Sequence, residues 1–157
     1  MAPNLLERQI LRAHNGLAYL TGSNRPVMAQ SPRDLVWKRD KARLWRYRSD
    51  QRRCRPPVLI VHSLVSKSYV LDLLPNTSMI GYLVGEGFDL FLLDWVPPDA
   101  ADAENTLETY VEGYIPEAIE ALLREARADE LTLIGYCFGG VFTLLLAAAQ
   151  RELRFAT

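Results

Sequence analysis

Gly135-Tyr136-Cys137-Phe138-Gly139-Gly140 lies between an apolar run, Leu131-Thr132-Leu133-Ile134, and a helix-forming run from Val141 to Ala149. Glycines two positions before and after a cysteine, where a buried strand gives way to a helix, predict a sharp bend. Side chains on the neighbouring turns would collide there, which is why glycine is needed. The bend lifts Cys137 to the top of a sheet, at the N-terminus of a helix. The helix dipole and unpaired backbone N–H groups at that end favour a thiolate and a developing oxyanion. Cys137 is therefore the candidate nucleophile, and Gly135, Gly139 and Gly140 are the glycines expected to shape its turn.

Two more continuous apolar runs, Val58-Leu59-Ile60-Val61 and Leu90-Phe91-Leu92-Leu93, read as strands buried on both faces. Met79, Ile80, Leu83 and Val84 lie between them at helical spacing, closed by Gly85 and Gly87. Thr106 to Arg127 is helical in composition, with Pro116 predicting a kink or a restart. This alternation predicts an α/β fold with a mostly parallel, doubly wound sheet. With the bend it is α/β-hydrolase-like. Leu35-Val36-Trp37 and Leu44-Trp45-Arg46-Tyr47 flank a polar turn and predict a hairpin. Leu6, Ile10, Ala13, Leu17 and Leu20 predict an amphipathic N-terminal helix packed on the domain edge, broken by Gly22 to Pro26. The organisation expected is an N-terminal helical segment, residues 1–30, and the N-terminal half of a catalytic domain, residues 31–157. Phe155-Ala156-Thr157 reads as the approach to another strand, so the sheet is expected to stop just after the cysteine bend, leaving an open apolar edge.

An oxyanion hole needs two backbone donors. One is expected at Phe138, directly after the nucleophile, and the other in the loop after Val58–Val61, at Leu64 or Val65. His62 opens that loop, and its expected role is loop-shaping through a hydrogen bond. Asp94 ends a strand and is expected to fix the Trp95 loop by accepting backbone hydrogen bonds. His14 reads as a surface residue. A nucleophile of this kind ordinarily uses an acid and then a histidine later in the chain. After Cys137 there is no His and no Asp, and Glu152, the one acid there, sits too far along the helix to serve.

A formal charge of −1 on 157 residues argues against a nucleic-acid binder. The charge is uneven: nine Lys/Arg and two Asp lie between Lys38 and Arg55, and the region from Asp72 to Glu130 is acidic. The basic stretch reads either as a solvated hairpin or as a surface that meets anions. Cys54 and Cys137 make no disulfide framework, no secretory signal is legible and no apolar run is long enough to span a bilayer. A reducing, cytoplasmic setting is the expectation. No metal-ligand cluster and no phosphate-binding glycine loop is present in the sequence.

Four stretches together resemble the polyhydroxyalkanoate synthases, particularly their shorter, two-subunit classes. They are Leu64 to Leu73, Gly87 to Trp95 with its Asp-Trp ending, Thr106 to Ile115, and Gly135 to Gly140 as the family's cysteine lipase box. The resemblance implies that Cys137 accepts a 3-hydroxyacyl group from coenzyme A, a thioester substrate, with no further cofactor. A histidine would deprotonate the thiol and an aspartate would activate the 3-hydroxyl for elongation of the polyester. It also implies a dimer or a second synthase subunit as partner, and a place at the surface of polyester granules. The family's Asp and His lie beyond residue 157, and the His62-Ser63 start of the loop departs from the family's usual sequence. The expectation is therefore a fragment holding roughly the N-terminal half of a synthase, inactive alone.

Two alternatives stand beside this. Dienelactone-hydrolase-like enzymes also place Gly-Tyr-Cys-x-Gly-Gly on such a fold, although the Asp94-Trp95 ending and the Thr106–Ile115 stretch speak against them. A non-catalytic remnant that binds granules or an intact subunit would fit the missing catalytic pair.

Overall fold

The computed structural model describes residues 4–22, 27–51 and 53–150. Helix α1 (Leu5–Thr21) opens on a capping box: the Asn4 side chain accepts from the Glu7 N–H, and the Glu7 carboxylate accepts from the Asn4 N–H. Gly22, at φ 68°, closes it. The helical spacing read from the sequence is met, but the expected packing on the domain edge is not. Only Ala18 is buried, while Leu6, Ile10, Leu17 and Leu20 are exposed. Apolar spacing specifies that a face exists; it does not specify what covers it.

Strands β1 (Asp34–Arg39) and β2 (Ala42–Tyr47) form the predicted hairpin, with Asp40 left-handed in the turn. Strand β3 (Val58–Val61) and, after helix α2 (Met79–Gly85), strand β4 (Leu90–Trp95) run parallel to each other. A π-helical turn (Thr109–Tyr114) leads into α3 (Ile115–Ala126), then β5 (Thr132–Gly135) and α4 (Phe138–Ala149). The sheet order is β1-β2-β4-β3-β5. Its β4-β3-β5 half is parallel as predicted, and the hairpin joins it through an antiparallel β2–β4 pairing, so the sheet is mixed.

Period-two alternation decides which helix meets which side chain. Val58, Ile60, Leu90 and Leu92 face α2, with Tyr47, Leu71 and Ile80. Leu59, Val61, Phe91 and Leu93 face α3 and α4, with Ile115, Ile119, Leu122, Phe142 and Leu146. Both faces are covered, which is why β3 and the Leu90–Leu93 run of β4 are apolar without interruption. Pro116 has no N–H to return to the preceding turn, and the chain meets it with the widened π-helical turn directly before α3.

Several cations of the basic stretch are engaged within the fold. Arg46, buried, meets Asp89 through two 2.8 Å hydrogen bonds and Glu125 through another. Arg39 bonds Glu117, Lys41 bonds Asp99, and Arg48 bonds Asp34. These pairings tie the hairpin to β4, α3 and the loop after β4. The acids of the later region are thus in part the counterpart of the basic hairpin. Among the described residues, no helix is long and apolar enough to cross a membrane.

Candidate active site

The parallel strands end on one edge, and there β5 passes through Tyr136 and Cys137 into α4. The Tyr136 N–H donates to the Val61 carbonyl at 3.0 Å, carrying the β3–β5 ladder one residue past the strand. Cys137 then turns the chain at φ 55°, ψ −123°, a conformation that side-chain-bearing residues rarely adopt. Such strain persists only where the surroundings over-determine it, and it clusters at functional sites. The surroundings here are Gly139 N–H to Tyr136 O at 3.0 Å and Gly140 N–H to Cys137 O at 2.9 Å. The Cys137 thiol is free and exposed.

The three glycines expected to shape the turn are not equivalent. A Cβ on Gly139 would lie 2.1 Å from the Val61 carbonyl oxygen, and one on Gly135 would lie 2.4 Å from the Gly140 Cα. Neither can be accommodated without moving backbone. A Cβ on Gly140 would meet nothing closer than the Gly135 oxygen, at 3.6 Å, which is ordinary contact. Gly140 matters as the partner Gly135 approaches, not through its own missing side chain.

Phe138 is the first residue of α4, so its N–H precedes the helix's own hydrogen-bond ladder. Its ring packs edge-on against Phe142 at 5.0 Å, and Phe142 stacks on Tyr110 of the π-helical turn at 5.6 Å. Of the two loop donors read from the sequence, the Val65 N–H already donates to the Ser63 hydroxyl at 3.0 Å. A short Ser-x-Val turn takes that N–H, a local competition that serine favours. For the Leu64 N–H no hydrogen-bond partner is found among the described residues.

His62 is fully buried, and its ring approaches the Ser66 carbonyl through Nε2 at 2.9 Å. Burial pushes its pKa below the ordinary imidazole value, against the opposing pull of the Ser66 carbonyl and the Asp94 charge. The loop-shaping role read for it is what this geometry provides. Asp94 accepts the Trp95 N–H at 2.9 Å, and the Trp95 indole donates to the His62 carbonyl at 2.9 Å. Sequence reasoning missed Ser63, Ser66 and Tyr136 as members of the site. Ser63 was legible as a turn former two residues before Val65. Nothing in the spacing announced that the Tyr136 ring would lie parallel to that of His62, at 5.5 Å.

His14 lies on α1 and is exposed. Cys54 is half-buried, with its sulfur 3.7 Å from the Glu86 carbonyl. Glu152 and the strand expected near Phe155 lie outside the described residues. Among the described residues no group of His, Cys, Asp and Glu could hold a metal ion.

The alpha/beta hydrolase fold family matches residues 56–154. Two solved structures share the fold. An epoxide hydrolase from an endophytic Streptomyces has a TM-score of 0.52 at 14% identity, over 80% of this chain and 35% of its own. Epoxide hydrolase A from Mycobacterium thermoresistibile has 0.51 at 17%, over 78% and 36%. The chain therefore belongs to the alpha/beta hydrolase fold family. Within that class its sequence is similar to the N-terminal part of poly(3-hydroxyalkanoate) polymerases. Residues 9–83 match the poly-beta-hydroxybutyrate polymerase (PhaC) N-terminus. The poly(3-hydroxyalkanoate) polymerase subunit PhaC of Thiocystis violacea is 32% identical over 96% of this chain and 44% of its own length. The same subunit from Allochromatium vinosum is 37% identical over 78% and 35%, and that from Haloferax mediterranei 35% over 80% and 26%. The chain thus spans under half the length of these relatives.

Proposed function

We propose that this chain is the nucleophile-bearing part of a cysteine acyltransferase that polymerises 3-hydroxyacyl-CoA. The observation that carries the proposal is an exposed thiol held at positive φ at the head of α4, in a chain similar to polymerases of this class. The Cys137 thiolate attacks the thioester carbonyl carbon and a new C–S bond forms. The carbonyl electron pair moves onto oxygen, where the Phe138 and Leu64 N–H groups stabilise it. Collapse expels the coenzyme A thiolate, which takes up a proton, and leaves the acyl group on Cys137. Attack by the 3-hydroxyl of another unit on such a thioester extends the polyester.

The chain has two histidines: His14 on α1, and His62, whose Nε2 is committed to Ser66. The base for the thiol and the aspartate for the hydroxyl would therefore come from outside the described residues. Acylation of Cys137 by this chain alone is expected to be slow, by several orders of magnitude. The same proposal includes residues 1–30 as a separable N-terminal segment, supported by the little that α1 buries. It also includes a second subunit or a second copy as partner, and the surface of a polyester granule in the cytoplasm as location.

The test is intact-protein and peptide mass spectrometry after incubation with 3-hydroxybutyryl-CoA. A hydroxybutyryl adduct on Cys137, absent in Cys137→Ala and slow to form, is expected. No adduct after prolonged incubation, with the thiol still open to iodoacetamide, would overturn the reading.

A further inference from the structure

We propose that His62, neutral with its proton on Nε2, is a positioning residue that locks the loop after β3 against the cysteine bend. It thereby sets the spacing of the Leu64 and Phe138 N–H groups. The inference deepens the acyl-transfer reading and rests on it for the purpose of that spacing.

The backbone of His62 is fixed at both ends. Its N–H donates to the Leu93 carbonyl at 3.2 Å, and its own carbonyl accepts the Trp95 indole at 2.9 Å. That carbonyl also lies where a Cβ on Gly139 would come within 2.9 Å, so it is packed under the first turn of α4. From this anchor the ring reaches in two directions. Nε2 is 2.9 Å from the Ser66 carbonyl, which can only accept, so the proton is on Nε2. The ring face lies 9° from parallel with Tyr136, the residue directly before Cys137. One side chain thus touches both walls between which an oxyanion would sit.

The other ring nitrogen sharpens the point. Nδ1 is buried and has no hydrogen-bond partner among the described residues. A buried acceptor left unmatched is unfavourable. If filling space were the only requirement, an apolar ring would meet it without that penalty. What imidazole adds over phenyl at this place is the Nε2–H to Ser66, which closes the loop four residues on. Leu64 lies inside the closed segment, with Ser63 holding Val65 within it.

Two reactions of one sulfur separate positioning from general integrity. Acylation by p-nitrophenyl acetate forms an S–C bond, places charge on the carbonyl oxygen and then expels p-nitrophenolate. Alkylation by iodoacetamide forms an S–C bond as iodide leaves, with no oxyanion. Both are followed at Cys137 by peptide mass spectrometry in the full chain and in His62→Phe, which keeps the stacked ring and loses the Nε2–H. The expected result is acylation slowed by up to about a hundredfold, the lower end of the range of about a hundred- to a thousandfold seen when an oxyanion donor is removed outright, with alkylation within about twofold. An equal fall in both reactions, or unchanged acylation, would overturn the inference.

Imidazole and amide nitrogen NMR of the unmodified chain judges the lock without any chemistry. A protonated Nε2 with a bare Nδ1 is expected, and in His62→Phe the Leu64 and Tyr136 amides shift while β1 does not. A proton on Nδ1, or an unmoved Leu64 amide, counts against the lock even if His62→Phe reacts slowly. A wild-type thiol that alkylates but accepts no acyl group counts against the acyl-transfer reading alone, and the NMR result then decides the lock.

Discussion

Cys137 occupies its strained turn because Gly135 and Gly139 let backbone approach backbone on either side. Substitutions at the three glycines should therefore diverge. Gly139→Ala must push the Val61 carbonyl away from 2.1 Å, and a loss of about 3 kcal/mol or more, at or above the top of the usual overpacking range, is expected in urea denaturation. Gly140→Ala makes only ordinary contacts inside a helix, where alanine is favoured by about 1 kcal/mol, so it should be neutral or stabilising. His62 carries a pH signature. Its ring is faced by the Ser66 carbonyl, the Asp94 charge and the Tyr136 ring, and burial lowers its pKa below the unfolded value of about 6.5. The unfolded chain then binds more protons just below that value. Stability from His62 is full above about pH 6.5 and is lost as the pH falls through it toward the lowered pKa. Thermal melts between about pH 7.5 and 5 should show a fall that His62→Phe reduces.

Among the elements, the hairpin is the one whose attachment depends on charge. β2 is held to β4 by backbone pairing, and Arg46 adds the buried clamp on Asp89 and the bridge to Glu125 on α3. Arg46→Met removes the guanidinium from a carboxylate that stays buried, and a loss of about 3–5 kcal/mol is expected. Arg48→Met touches pairs whose partners are exposed or half-exposed and should change stability by less than about 1 kcal/mol. Denaturant midpoints of the two variants check the contrast. In α3, Pro116 predicts a kink or restart, and α3 does begin there, after a π-helical turn whose Tyr110 stacks on Phe142 of α4. In α1 the apolar stripe predicts a helix correctly, yet the stripe finds no cover within the described fold.

Across the described residues, β5 is the edge strand on that side of the sheet, and the helix that follows it leaves Val141, Leu144 and Leu145 exposed. Apolar surface of this kind beside a strand edge favours association. Leu144→Glu, on the most exposed of the three, should leave stability within about 0.5 kcal/mol while lowering the apparent mass at high concentration in light scattering. The apolar runs alone dictated β3 and β4, because strand segments covered on both faces must be apolar, and they located β5, although its Thr132–Gly135 residues are only half-buried or exposed. The glycine spacing alone dictated the bend, because its backbone conformation is forbidden with bulk alongside. Packing decided the rest. That the Val65 N–H is taken depended on Ser63, and the setting of His62 depended on Tyr136 and Trp95, far away in the chain. Whether a glycine was indispensable or merely adjacent depended on which carbonyl lay opposite it. A sequence records local backbone preference and the side of each element that avoids water. Partners at a distance are chosen only when the elements close on one another.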